Sequence, residues 1–172
     1  MSKPDKIIDR VLYGVDVVIF NPKDEILMLS RNVKSENFET GWEFVKGGLK
    51  FDEDFQQAAM REIAEEVGNI TIKYIGELPY YFEVDARYRN KPHYDFVHKK
   101  ALVYYYQDGV VIIDSGEHDN FKWMPYSEAY ELIWVENGKE ILEEAKKIFD
   151  EWGKNHILRS NNNLPWKIFG KR

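Results

Sequence analysis

The sequence predicts a single α+β domain, and three patterns carry that prediction. Residues 10–20 alternate in side-chain character as a strand does, with Val15, Val17 and Ile19 falling on one side. Apolar residues recur at helical spacing after residue 55, and do so again over 136–152. Strands therefore accompany at least two helices in a chain of 172 residues, which is long enough to bury one sizeable core.

The composition excludes several classes of function. The chain has 24 lysines and arginines against 30 aspartates and glutamates, so a net charge of −6 argues against a broadly basic nucleic-acid-binding surface. The absence of cysteine excludes disulfides, thiolate metal sites and a cysteine nucleophile. The first ten residues lack the apolar run of a signal peptide, and no stretch is apolar for long enough to cross a bilayer. We therefore expect a cytoplasmic protein that is not bound to a membrane.

The first elements predicted are the two strands of a hairpin. The strand over 10–20 ends at an Asn-Pro-Lys-Asp turn, in which proline presets the backbone, and a second strand follows over 25–31. A polar loop is expected over 32–40. A short apolar strand over 42–45 then runs into Gly47-Gly48.

The next element is the helix with the clearest pattern. Acidic residues at 52–54 complement the positive end of a helix that begins there, and Gly68 suits a left-handed stop. The apolar stripe of this helix repeats every four residues and consists of Phe55, Ala59, Ile63 and Val67.

The rest of the chain is predicted to add strands and two more helices. The strand-like runs cover 70–75, 80–84, 97–107, 110–113 and 121–124. A helix opens at Ser127-Glu128, and the last helix covers 136–152. We expect residues 1–152 to form the domain, and 153–172 to be a C-terminal tail that partly docks on it through Trp166 and Phe169.

Three glutamates on the clearest helix carry the first chemical signal. Glu62, Glu65 and Glu66 stand at i, i+3 and i+4, so their carboxylates share one face within one turn. Because the apolar stripe lies opposite, we expect this acidic face to point away from the core. Clustered carboxylates repel one another and bind hard divalent cations, among which Mg²⁺ sits between such ligands and substrate phosphates. A solvated acidic face is the alternative for such a triplet taken alone.

The wider spacing around these glutamates resembles the Nudix box, G-x5-E-x7-R-E-U-x-E-E-x-G-U. The match runs over 47–69, and its fixed positions are Gly47, Glu53, Arg61, Glu62, Glu65, Glu66 and Gly68. One departure is Asn69 in the final apolar position, where Ile70 follows instead. The run Trp-Glu-Phe-Val-Lys-Gly-Gly over 42–48 is similar to that of diadenosine polyphosphate hydrolase-like members, although Val45 replaces their proline.

The resemblance implies a fold and a reaction. The Nudix fold is an α/β/α sandwich around a mixed sheet, and its members hydrolyse a nucleoside diphosphate linked to another group, X, by attack of water on phosphorus. Glu62, Glu65 and Glu66 match the family's metal ligands, and the carbonyl of Lys46 often completes the site. The implied cofactor is Mg²⁺, with Mn²⁺ as the alternative.

The resemblance also implies supporting roles. Arg61 matches the arginine that orients the glutamates by salt bridges, and we count it with the catalytic residues. Glu53 matches a structural glutamate that ties the loop to the helix, and Gly47 and Gly68 are structural. The general base varies in the family, so Glu62, Glu66 and Glu117 all stay candidates. His118 is expected to be an ordinary loop histidine.

Substrate contacts can be proposed from the same resemblance and from residue type. Arg31 and Lys46 match positions near the phosphates of relatives. Tyr81 is a candidate for stacking on a nucleobase, with Tyr88 and the run 104–106 as alternatives and core packing as the other interpretation of such a run. Arg89 lies in a basic loop that would either close over an anionic substrate or form a solvated hairpin tip.

The sequence thus predicts a Mg²⁺-dependent pyrophosphohydrolase of nucleotide or dinucleotide polyphosphates, and long nucleic acid is not an expected partner. Sugar nucleotides and capped or triphosphorylated RNA stay open as substrates, as does a homodimer. The alternative function is a non-catalytic, nucleotide-sensing Nudix-like domain. A structural protein with a merely solvated acidic helix is a third class, which requires the whole box to be coincidental.

Overall fold

A mixed β-sheet lies between helices on both of its faces, as the predicted sandwich requires. The computed structural model describes residues 10–31, 41–85 and 95–162, with side chains described through His156. Within these residues the strands are β1 (Val11–Phe20), β2 (Glu25–Arg31), β3 (Trp42–Glu43), β4 (Val45–Gly48), β5 (Thr71–Asp85), β6 (Phe96–Asp108) and β7 (His118–Pro125). The helices are α1 (Phe55–Val67), α2 (Tyr126–Leu132) and α3 (Gly138–Asn162). Of the described helices, none is both long and apolar enough to cross a membrane.

The strand order explains why the sheet is mixed. Five strands follow the order β3-β2-β1-β6-β5, β4 pairs with β1, and β7 pairs with β2. The β1–β6 pair is parallel, whereas the other pairs are antiparallel. The predicted hairpin of β1 and β2 is confirmed, with Phe20 opposite Ile26.

Two apolar cores lie on opposite faces of the sheet. Val15, Val17 and Ile19 of β1 pack with α1, whereas Val18 and Phe20 pack against α2 and α3. A strand buried on both faces is apolar at nearly every position, and β1 is so because two helical layers cover it. The burial of apolar surface on both faces therefore fixes the three layers.

Three predicted elements differ from the structure. Residues 110–113 are not a strand, because the amide nitrogen of Ile112 donates to the Val67 carbonyl (3.0 Å) and satisfies the end of α1 instead. The runs over 70–75 and 80–84 form a single strand, β5, which bulges against β6 between them. The strand predicted over 42–45 breaks at Phe44 into β3 and β4.

The C-terminal boundary also differs. The last helix starts at Gly138 and continues to Asn162, ten residues past the predicted end at 152. Residues 153–162 of the predicted tail are therefore helical, and 163–172 lie outside the described residues, together with Trp166 and Phe169.

Candidate active site

Helix α1 presents the box glutamates, and both of its ends are fixed by local chemistry. Asp54 caps the first turn by accepting from the amide nitrogen of Gln57 (2.8 Å), and the Gln57 side chain accepts from the amide of Asp54 (2.9 Å). Gly68 follows the last turn at φ +83°, a conformation that residues with a side chain rarely adopt. The predicted glycine stop is confirmed, and Ile70 (9 % exposed) supplies the buried apolar contact that Asn69 does not.

Gly47 is required because the Glu62 carboxylate lies directly against its backbone. A Cβ at Gly47 would stand 1.9 Å from Glu62 Oε1, whereas one at Gly48 would meet nothing closer than 3.8 Å. A side chain at this position would therefore force the Glu62 carboxylate to move. The loop and the helix pack through that carboxylate.

Arg61 forms ion pairs with three box glutamates; we call these four residues the Arg61 network. Its Nε donates to Glu53 Oε1 (2.6 Å), and its Nη1 contacts Glu62 (2.5 Å) and Glu65 (3.2 Å). Its Nη2 also donates to the carbonyl of Gly48 (2.7 Å), which ties the loop to the helix. Hydrogen bonds from Arg61 lower the pKa of Glu53 to about 2, and the bond to Glu53 is the main cause that raises the pKa of Arg61.

The acidic face does not point away from the core as expected. Glu62 and Glu66, one turn apart, are 9 % and 6 % exposed and face inward, whereas the Glu65 side chain is 52 % exposed. The two buried glutamates lie toward the strands that α1 packs on, since the Glu62 carboxylate lies against Gly47 of β4 and the charges of Glu43 and Lys46 act on Glu66. One like-charged pair is therefore buried, and the third glutamate stays in solvent.

Glu66 carries the most perturbed carboxylate of this site. Burial, followed by the nearby charges of Glu62 and Glu117, raises the pKa of Glu66 to about 9. Burial likewise raises the pKa of Glu62, against the opposing effect of Arg61. Glu66 Oε2 is buried and makes no hydrogen bond in the described part of the chain. A buried carboxylate oxygen without a partner is costly, so a cation or a proton must compensate it.

Glu117, on the loop before β7, is close enough for its charge to act on this pair. The amide of Asp114 donates to the Glu66 carbonyl (3.0 Å), and the amide of Glu117 donates to the Asp114 carbonyl (3.2 Å). The turn is thus anchored on the end of α1. Glu117 is exposed, and its charge contributes to the raised pKa of both Glu62 and Glu66.

A second group of charged residues lies near the glutamates of α1 and contains more basic side chains than carboxylates. Glu43 accepts from Arg31 Nη1 (3.2 Å), pairs with the Lys46 ammonium and contacts His118 Nε2 (3.2 Å); we call these four residues the Glu43 cluster. The side chains of Glu43 and His118 are each 1 % exposed. His118 opens β7 and is buried, so the expected ordinary loop histidine is wrong.

The electrostatics of the Glu43 cluster differ from those of Glu66. Burial alone would raise the pKa of Glu43, but the hydrogen bond to His118 and the charge of Lys46 lower it to about 2. Burial lowers the pKa of Lys46, against the opposing charge of Glu43. The Lys46 ammonium also lies 5.5 Å from the ring centroid of Trp134.

Sequence reasoning missed Glu43 and the buried pair of Asp16 and Lys99. Glu43 stands between aromatic residues in an apolar run, and Asp16 interrupts a buried strand, so each is a charge at a position that burial should exclude. Asp16 is 0 % exposed and pairs with Lys99, and its charge also acts on Lys46. A charge within an apolar strand was therefore the available signal.

One predicted substrate contact, Tyr81, lies at the opposite end of α1 from Glu66. Tyr81 is 51 % exposed and its ring packs on Phe55 (5.6 Å between centroids), at the first turn of α1. Phe55 precedes Glu66 by 11 residues, which is roughly 16 Å along a helix. The Lys100 ammonium also lies 4.9 Å from the centroid of the Tyr81 ring. Arg89 lies outside the described residues.

The fit of a divalent cation rests on the donor set. No three acidic or histidine side chains of the described segments already converge on one metal position, because Arg61 draws Glu62 and Glu65 toward itself. However, Glu62, Glu65 and Glu66 supply hard carboxylate oxygens, which suit Mg²⁺, and the unpartnered Glu66 Oε2 is one of them. These residues therefore fit a metal once Glu62 and Glu65 turn from Arg61.

Comparison with known proteins agrees with this geometry. The family model described as the NUDIX domain matches residues 11–145, which is more than three quarters of the chain. An RNA pyrophosphohydrolase of Acidiphilium cryptum is 26 % identical over 127 residues, covering 66 % of this chain and 75 % of that protein. One of Caulobacter vibrioides is also 26 % identical, over 131 residues, covering 70 % and 75 %.

Solved structures share the fold. The MutT protein of Methanosarcina mazei superimposes with a TM-score of 0.61 at 19 % identity, covering 83 % of this chain and 97 % of that one. The E. coli dihydroneopterin triphosphate pyrophosphohydrolase gives a TM-score of 0.61 at 23 % identity, covering 77 % and 92 %.

Proposed function

Because the chain belongs to the Nudix family and is a pyrophosphohydrolase of that type, we propose that it uses Mg²⁺ to cleave a nucleotide or dinucleotide polyphosphate. One observation carries this proposal. Glu62 and Glu66 are buried side by side, with an unpartnered oxygen on Glu66, and the charge of Lys46 acts on Glu66. A site that pairs uncompensated carboxylates with cations suits a metal-bound anionic substrate.

The metal would be held by Glu62, Glu65 and Glu66, with the carbonyl of Lys46 completing the set. When bound, Mg²⁺ supplies charge neutralisation of the phosphates and lowers the pKa of a water ligand. Arg61 keeps Glu62 and Glu65 together in the metal-free protein, since its guanidinium contacts both, and the two carboxylates would turn from it to bind the ion. Mn²⁺ has the same preference for oxygen donors and is the alternative ion.

The chain's own residues then divide the remaining work. Lys46 and Arg31 bind phosphate oxygens, because the charge of Lys46 acts on Glu66 and Arg31 shares the Glu43 carboxylate with Lys46. Glu117 orients the attacking water and accepts its proton, since its turn is fixed to the end of α1. Glu62 and Glu66 stay candidates for sharing that proton, because the pKa of each is raised.

Two substrate classes follow from these contacts. A small nucleotide polyphosphate suits a net charge of −6, since no broad cationic surface is needed to hold it. The relatives named RNA pyrophosphohydrolases support a triphosphorylated RNA 5′ end as the second candidate. Both classes present a chain of phosphates to the same residues, so they differ in the group that is attached to that chain.

The test is a substrate panel assayed with Mg²⁺ and with EDTA. It contains nucleoside triphosphates, diadenosine polyphosphates, ADP-ribose, NADH and triphosphorylated RNA, with the products resolved chromatographically. We expect metal-dependent cleavage of one class, which also identifies the group X. If nucleotides bind and none is cleaved with Mg²⁺ or Mn²⁺, the hydrolase proposal is wrong and the nucleotide-sensing alternative replaces it.

A further inference from the structure

His118 follows Glu117 in the chain, but the two side chains have different surroundings. The side chain of His118 is 1 % exposed, whereas Glu117 is exposed. The register of β2 with β7 shifts here, so that Asp119 is an extra residue between the positions opposite Ser30 and Arg31. A bulge of this kind re-aims a side chain. The sheet thus buries a histidine immediately after the residue proposed as the general base.

One hydrogen bond holds the His118 ring. Its Nε2 lies 3.2 Å from Oε1 of Glu43, whose side chain is also 1 % exposed. Because the pKa of Glu43 is lowered to about 2, this carboxylate is ionised and can only accept, so Nε2 of His118 donates. His118 Nδ1 makes no hydrogen bond in the described part of the chain. The contact with Glu43 therefore ties the start of β7 to β3.

Residues 114–117, which we call the Glu117 turn, are held at both ends. At the first end, the amide of Asp114 donates to the carbonyl of Glu66 on α1 (3.0 Å). At the second end, the His118 ring donates to Glu43. Inside the turn, Asp114 accepts hydrogen bonds from three backbone amides, those of Gly116 (2.8 Å), Glu117 (3.2 Å) and His118 (2.9 Å). The turn is thus fixed both to α1 and to β3.

The position of the Glu117 carboxylate depends on this turn. Within the described segments, no hydrogen bond or ion pair holds the Glu117 side chain, so the backbone alone sets where it lies. Its charge acts on both Glu62 and Glu66. A displaced turn would therefore move Glu117 relative to the carboxylates that would hold the metal.

We propose that His118 is a positioning residue, which fixes the Glu117 turn so that Glu117 reaches the attacking water. This inference rests on the proposed function for the role of Glu117. His118 does not touch the reacting atoms and acts through the backbone that it shares with Glu117. Because misplacing a catalytic group by about 1 Å can slow a reaction about a hundredfold, an anchor for an otherwise unheld carboxylate has a direct effect on rate.

The kinetic test compares two substitutions of His118. His118→Leu removes the donor at similar size, so kcat should fall about tenfold, while KM and Mg²⁺ affinity stay within about twofold. His118→Gln keeps an N–H donor for Glu43 and should stay within about threefold of the wild-type kcat. His98→Leu is the matched control, because it removes a histidine–glutamate contact between β6 and β5 (2.7 Å to Glu83), and its kcat should stay within about twofold.

A double variant separates positioning from general support of the fold. If His118 acts through Glu117, His118→Leu should lower kcat by no more than about twofold further when Glu117→Gln is already present. A tenfold loss in both backgrounds, or a wild-type kcat in His118→Leu, would overturn the inference. If His118→Leu does not fold, His118→Asn replaces it, since its shorter amide does not reach Glu43. His118→Asn should show the same loss, and a wild-type kcat there would contradict the proposal.

Amide hydrogen exchange, measured without substrate or metal, tests the anchor independently of turnover. In His118→Leu, the amides of 114–118 should exchange about tenfold faster, while those of α3 exchange as in the wild type. Unchanged exchange in the turn would overturn the inference, and faster exchange throughout the protein would replace it with a general structural role. If the wild type cleaves no substrate, the proposed hydrolysis fails, whereas faster exchange confined to the turn would still show that His118 anchors it.

Discussion

The Arg61 network and the Glu43 cluster are both groups of ion pairs, but acidic side chains outnumber basic ones in the first, and basic side chains outnumber acidic ones in the second. In the network, one guanidinium contacts three carboxylates, whereas in the cluster one carboxylate contacts two cations and a histidine. The first group gathers mainly carboxylates, and the second joins one carboxylate to two cations. Since a metal-bound polyphosphate carries both signs, the proposed site would have a negative half for the metal and a second half for the phosphates.

The two groups also differ in how they are assembled. Every member of the Arg61 network lies within 53–65, on one loop and one helix, and Arg61 contacts all three glutamates. The Glu43 cluster draws Arg31, Lys46 and His118 from three other strands. The geometry of one helix and its preceding loop fixes the Arg61 network, whereas the Glu43 cluster depends on the register of the sheet.

The largest expected effect is on the negative half. Glu66→Gln removes a buried carboxylate without changing its shape, so we expect turnover to fall by roughly a thousandfold or more while the fold is kept. Steady-state kinetics and thermal unfolding of the same sample measure both. Glu131→Gln, an exposed glutamate on α2, is the control. Wild-type turnover in Glu66→Gln would remove the carboxylates from the mechanism altogether.

The next effect tests whether the negative half also handles protons. Glu117→Gln should lower turnover about a hundredfold if Glu117 is the general base, while Mg²⁺ affinity stays within about twofold. Kinetics at saturating metal, together with calorimetric titration of Mg²⁺, separate the two quantities. Unchanged kinetics would make Glu117 an ordinary residue of its turn, and a matched loss of Mg²⁺ affinity would make it a metal ligand instead.

A smaller effect tests the close packing of the loop on the helix. A methyl group at Gly47 would displace the Glu62 carboxylate, which lies 1.9 Å from that position, so Gly47→Ala should reduce turnover roughly tenfold to a hundredfold. Gly48→Ala is the matched control, because nothing lies within 3.8 Å of its Cβ, and it should stay within about threefold of wild type. Equal losses in the two variants would point to loop flexibility rather than to Glu62.

The smallest effect concerns the pH dependence of stability, to which Glu66 and Glu43 contribute with opposite signs. The folded protein keeps a proton on Glu66 up to about pH 9, where the unfolded chain has lost it, so stability of the metal-free protein falls as pH rises from about 4.5 to 9. The pKa of Glu43, at about 2, contributes stability that is complete above about pH 4.5 and is lost as pH falls toward 2.

Urea unfolding at pH 5 to 9 without metal measures the Glu66 contribution, which we expect to be on the order of a few kcal/mol. Glu66→Gln should flatten the decline, because no carboxyl is left to ionise, and added Mg²⁺ should flatten it in the wild type. A decline of the same slope in Glu66→Gln would assign it to another group.

Much of the fold was predictable because its patterns are local. The stripe of α1, its glycine stop and the strands β1, β2 and β6 are confirmed, since each shows its period within a dozen residues. Residues 110–113 were predicted wrongly, because their apolar character reflects contact with the end of α1 rather than strand pairing. The bulged strand β5 was divided in two for a related reason, since register shifts interrupt the alternation.

The sequence by itself determined the family, the layered fold and the carboxylates of α1, because the box lies in one continuous segment whose spacing places its residues on one helix. Only the tertiary structure decided that Glu62 and Glu66 face inward and that Tyr81 lies beside Phe55. It alone placed Glu43 with Arg31, Lys46 and His118. The physical reason is that burial and long-range ion pairs depend on which strands become neighbours, and no local period records that order.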